Sequence, residues 1–150
     1  MGESFIIVNL ITERLDSEDD GYNATPPVTK LRLKLFGGPS TGEVFYFKPE
    51  YPEEASDAPH SIVKIGRSNQ CDVVIEDAVL SKLQAHIYFD PARQTWLLED
   101  GAIGGGKRSL NGTWLYLNDD FEVYEGMTFK VNQVLFQASF QAREPHAYIR

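Results

Sequence analysis

The chain lacks most of what an enzyme, a metalloprotein or a nucleic-acid binder would display. It has a single cysteine, Cys71, so no intrachain disulfide can form and any metal site would need histidines and carboxylates. Its three histidines, His60, His86 and His146, are far apart and none has a second ligand at close spacing, so neither a metal nor a cofactor is implied. No serine sits in a nucleophile-elbow context, which leaves covalent catalysis without a candidate. Positive charge is in deficit: 14 Lys and Arg stand against 22 Asp and Glu, a net charge of −8. That balance argues against a broad nucleic-acid or anionic-membrane surface, so any anion site must be a local positive patch. No apolar run approaches the roughly 18 residues of a membrane-spanning helix. The run Phe5 to Ile11 is interrupted by Asn9 and has no basic flank before it, so it reads as neither signal peptide nor anchor. The lone cysteine favours a reducing, intracellular setting, cytoplasm or nucleus.

Helical periodicity is also missing: no stretch in the middle of the chain repeats apolar residues at a helical period between caps. Short strands recur instead. Leu31, Leu33 and Leu35 alternate with Arg32 and Lys34, and Ala85, Ile87 and Phe89 alternate with His86 and Tyr88, the period of strands with one buried face. Val44 to Phe47, Ile62 to Ile65, Val73 to Ile75, Thr95 to Leu98, Trp114 to Leu117, Phe121 to Tyr124, Met127 to Val131 and Val134 to Phe140 are further β-type runs, separated by Gly, Pro, Asn and Asp clusters. The pattern predicts an all-β sandwich and one domain with tails. We place the domain at 30–140, after an extension at 1–29 with a possible extra strand Phe5 to Ile11 and a polar, acidic linker, and before a tail at 141–150. The Pro- and acid-rich stretch Pro49 to His60 reads as a surface loop.

Three clusters between strands carry the polar chemistry: Gly66-Arg67-Ser68, Leu80-Ser81-Lys82, and Lys107 through Thr113. Each sets a cation, hydroxyl or amide beside a turn, the donors an anion needs. The anion is not a nucleotide. Gly101 to Lys107 fits the first seven places of a phosphate-binding P-loop, but the next place, Ser or Thr in that motif, is Arg108, and Leu110 to Leu117 reads as a turn entering a strand rather than a helix.

Taken together, Ile65-Gly66-Arg67-Ser68, Cys71-Asp72, Leu80-Ser81, Trp96 to Asp100 and Asn111-Gly112-Thr113-Trp114-Leu115 resemble, in order and spacing, a forkhead-associated (FHA) domain running from about Lys30 to Phe140. The resemblance implies an FHA-like β-sandwich of two mainly antiparallel sheets and about eleven strands, with binding loops at one end for phosphothreonine peptides. It implies that Arg67 places its guanidinium on the phosphate, that Ser81 hydrogen-bonds it with Lys82 beside it, and that Asn111 holds the peptide backbone. Ser68 offers a further hydroxyl and Lys107 further positive potential. Gly66, Gly112 and Thr113 support the loops. Gln84 stands where many members have a histidine that braces the loops, a task its amide can perform. Leu110 stands where a Thr or Ser that contacts the peptide is common, so one donor is missing. Val79 lies near where the family selects the third residue after the phosphothreonine, and suggests an apolar choice there.

The partner so implied is a phosphothreonine-containing protein or peptide, not nucleic acid or a membrane, and the chain itself could be part of a larger chain or complex. The competing reading is a scaffold subunit that uses the same fold for phosphorylation-independent binding, through a sheet face or the Phe5 to Ile11 strand. A phosphatase or nucleotidase reading has no general base, metal cluster or valid P-loop behind it.

Overall fold

The computed structural model describes residues 5–13, 28–38, 40–50 and 60–141. Most of the expected linker (14–27), most of the acidic loop (51–59) and nearly all of the tail (142–150) lie outside the described residues. The chain forms two compact units, Met1–Thr113 and Trp114–Arg150.

In the first unit, β1 (Phe5–Glu13), β2 (Val28–Phe36) and β3 (Val44–Phe47) form an antiparallel sheet in that order. The second sheet takes β4 (His60–Gly66), β5 (Val73–Val74), β6 (Ala85–Asp90) and β7 (Thr95–Asp100) in the order β5-β4-β6-β7, antiparallel except for the short parallel pair β4 and β5. The alternation in the sequence explains which faces meet. Leu31, Leu33 and Leu35 turn from β2 onto Val63, Ile65, Val73, Ile87 and Phe89 of the opposite sheet, and Trp96 joins them. The Phe89 and Trp96 rings meet edge to face at 5.4 Å, and Trp96 Nε1 donates to Thr29 O at 3.0 Å, a bond that links the two sheets. This is a β-sandwich around one apolar core.

After β7 comes one 3-10 turn, Ile103–Gly105. The second unit contains the hairpin β8 (Thr128–Val131) and β9 (Val134–Gln137), with Phe129 stacked on Phe136 at 5.3 Å and Asn132 turning the chain at φ 53. Nine strands are present among the described residues. Trp114 to Leu117 and Phe121 to Tyr124, expected as strands, carry no ladder. An alternating run specifies a two-faced segment but not the neighbour whose N–H and C=O groups make it a strand.

Leu33 is fully buried at the centre of the core. Leu33→Ala is expected to lower unfolding stability by about 2–5 kcal/mol. The measurement is denaturant unfolding, and a loss below about 1 kcal/mol would show that the two sheets do not share this core.

Candidate functional site

The end of the sandwich where β4 leads into β5, β5 into β6, and β7 into the segment after it gathers the three polar clusters. Their approach is set by Gly66. Its φ is not positive, so the constraint is space rather than turn geometry: a Cβ there would lie 2.3 Å from Lys82 O and 2.9 Å from its carbonyl carbon. With no side chain in the way, Arg67 N donates to Ser81 O and Ser68 N to Lys82 O, both at 3.1 Å, which zips the first loop to the second. Asp72 pins the far side of the first loop, its Oδ2 accepting from Lys64 N at 2.7 Å and its own N–H donating to Lys64 O at 2.9 Å.

Arg67 is exposed, and its Nε donates to Leu80 O at 2.9 Å. That bond orients the guanidinium and leaves the Nη donors directed away from it. Ser81 Oγ accepts from Leu110 N at 2.9 Å and keeps its hydroxyl hydrogen for another acceptor. Asn111 Nδ2 donates to Val79 O at 3.0 Å, so the third loop reaches the second twice. Ser68 Oγ accepts from Gln70 N at 3.2 Å and steadies its own turn. Lys82 presents an exposed side chain, while its carbonyl also accepts from Cys71 Sγ at 3.3 Å. Burial is the main influence that pushes the Cys71 thiol up from its ordinary value.

Gln84 is the brace. It is buried, Oε1 accepts from Ser81 N at 3.1 Å, and Nε2 donates to Gly112 O at 2.8 Å. Gly112 has φ +76, a conformation a β-carbon would strain. Thr113 Oγ1 donates to Asp100 Oδ1 at 2.7 Å. Arg67, Ser68, Ser81, Lys82, Gln84, Asn111, Gly112 and Thr113 are therefore joined in one bonded region. Lys107 is not: it is exposed, and its only hydrogen bond among the described residues is through its carbonyl, from Ala102 N at 2.8 Å within its own loop. Leu110 is 86% exposed and Val79 59% exposed.

Two groups went unassigned from the sequence. Asp100 accepts from Ser109 N at 3.1 Å and Ser109 Oγ at 2.6 Å as well as from Thr113, closing the base of the third loop. Burial pushes its carboxyl up, but the hydrogen bonds from Ser109 and Thr113, with Arg108 nearby, together outweigh that and hold it below the ordinary value of 3.8. An Asp closing a strand, followed by loop Ser and Thr, was the available signal. His86 is the other, fully buried although it alternates with the core residues of its strand.

Gln84→Leu keeps the volume but strips Ser81 N and Gly112 O of their partner, and is expected to cost about 1–3 kcal/mol per stranded group. Faster amide exchange at Ser81 would accompany it, and unchanged exchange would remove Gln84 as the brace. For Asp100, a folded value below the unfolded one means its stabilisation is present above pH 3.8 and is lost as pH falls through that value toward the folded one. Asp100→Asn should therefore be less stable than wild type at neutral pH and show a flatter acid limb below about pH 4; parallel acid-unfolding curves would contradict this.

No helix among the described residues is long and apolar enough to cross a membrane. Residues 63–129 match the family model described as FHA domain. No curated protein and no solved structure matches the chain. The match, within an all-β architecture, supports assigning residues 63–129 to the FHA domain family, whose members are protein-interaction modules that bind phosphorylated partners.

Proposed function

We propose that the chain is a phosphothreonine-dependent peptide-binding module without catalysis of its own, and that Arg67, Ser81, Lys82 and Asn111 form its recognition surface, with Ser68 and Lys107 adding donors and positive potential. The observation that carries this reading is the internal bonding of the loops. Arg67 uses Nε and Ser81 uses its acceptor lone pair to hold the loops together, and each keeps a donor for a ligand. Donors fixed beforehand lose little rotamer freedom on binding. A phosphate of about −1.5 to −2 charge then meets Arg67 and Lys82 on an otherwise acidic protein, so attraction is local and screened at a distance. The exposed Val79 and Leu110 favour an apolar residue over an acidic one on the C-terminal side of the phosphothreonine. A phosphorylated protein that carries such a segment is the expected partner, inside the cell and within a larger assembly.

Screening a degenerate phosphothreonine peptide library against the chain is expected to retain ligands, with unphosphorylated counterparts lost. Arg67→Ala should weaken retained peptides about 30-fold or more, the low end of roughly 2–5 kcal/mol for removing one partner of a hydrogen-bonded charge pair. Equal retention of phosphorylated and unphosphorylated peptides would overturn phosphate dependence and leave the scaffold reading.

A further inference from the structure

We propose that His86 is a positioning residue for the Lys107 limb of this site, acting with Glu99 as a clasp on the backbone of the loop after β7; the proposal rests on the phosphopeptide reading above. His86 lies between Ala85 and Ile87 on β6, so strand alternation turns it away from the core that Ile87 and Phe89 enter. A histidine on that face ordinarily reaches water. This one is 0% exposed.

Its Nδ1 is 2.8 Å from Gly101 O, a carbonyl that can only accept, so Nδ1 carries the hydrogen and donates. Its Nε2 has no hydrogen-bond partner and stands 3.4 Å from Oε2 of Glu99, the residue opposite it on β7. The other oxygen of Glu99 accepts from Gly105 N at 3.1 Å. The pair therefore grips the loop at two points, Gly101 and Gly105, on either side of Ala102, whose N–H donates to Lys107 O. Gly101 is itself closely surrounded. It has φ +73, a Cβ on it would fall 2.1 Å from Lys107 O, and its N–H is held by Gln84 O at 2.9 Å. The Tyr88 ring, centroid 5.8 Å from that of His86, stacks on the imidazole and limits its rotation.

An apolar side chain at position 86 would be buried without leaving an orphan nitrogen, so packing does not call for histidine here. What histidine adds is the bond to Gly101. It touches no ligand, and it fixes where the backbone that carries Lys107 begins and turns.

The test compares wild type, His86→Leu and His86→Asn, the last of which keeps an N–H near the Nδ1 position. Each is measured for capture on an immobilised degenerate phosphothreonine peptide pool and for amide exchange over residues 101–108. Leu should weaken capture about 3- to 10-fold, the worth of one hydrogen bond, and speed exchange at Ala102 and Gly105, and Asn should recover most of both. Equal loss in the two variants, or none in either, overturns the proposal. Should the Leu variant not fold, ¹⁵N spectra of the wild-type imidazole decide: a proton on Nδ1 supports the clasp and its absence there defeats it. Failure of wild type to capture any phosphopeptide would sink the phosphothreonine reading instead, while exchange and spectra still report on the clasp.

Discussion

Gln84 is where the three loops meet, and the geometry of that end of the sandwich depends on it. Its N–H donates to Ile65 O at 2.8 Å and its carbonyl accepts from Gly101 N at 2.9 Å. Its side chain takes Ser81 N and Gly112 O. One buried residue thus touches the strand before the first loop, the body of the second, the segment that follows β7 and the third loop. A buried amide is tolerable only when both ends are satisfied, and here both are. The same requirement makes the arrangement specific: moving the second or third loop away leaves one end of the buried Gln84 amide without its partner.

Around that junction the loops are stiffened from two sides. Asp100 gathers Ser109 and Thr113 beneath the third loop, and His86 with Glu99 holds the segment that leads into it. Gly66 brings the first loop within backbone hydrogen-bonding distance of the second. Little of this involves the groups proposed to meet a phosphate. The division of labour is physical: exposed cations are long and entropically free, and a short set of buried polar contacts beneath them limits the positions from which they can act. It is also compatible with the proposed anion site on a chain of net charge −8, since a fixed local cluster acts at contact distance whereas the remaining acidity is screened by salt.

Legibility in the sequence followed the range of the interaction. Leu31, Leu33 and Leu35 announced their burial because strand alternation is local, and all three lie in the core. The loop clusters were visible as Gly-Arg, Ser-Lys and Asn-Gly-Thr because turns have their own chemistry. Trp114 to Leu117 shows the limit. Its composition is that of a strand, but a strand also needs a partner, which no local pattern supplies. Gln84 could be read as a brace only through resemblance to a family, and its two partners, 3 and 28 residues away, were not predictable from spacing. Asp100 and His86 were passed over because a carboxylate at a strand end and a histidine within a strand are ordinary until their surroundings are known.

By itself, then, the sequence determined an all-β chain, a leucine-rich core face on β2, and the short list of polar residues from which a site could be made. Those come from composition and from periods of two residues, which the backbone imposes wherever it is extended. The tertiary structure decided which of the polar residues stand together. It joined Arg67, Ser81, Gln84 and Asn111 across separations of up to 44 positions, left the Lys107 side chain apart from that bonded set, and buried His86 on a face where alternation alone would have exposed it. Hydrogen bonds of this kind depend on orientation and on exclusion from water, and both exist only once the strands that carry them have packed.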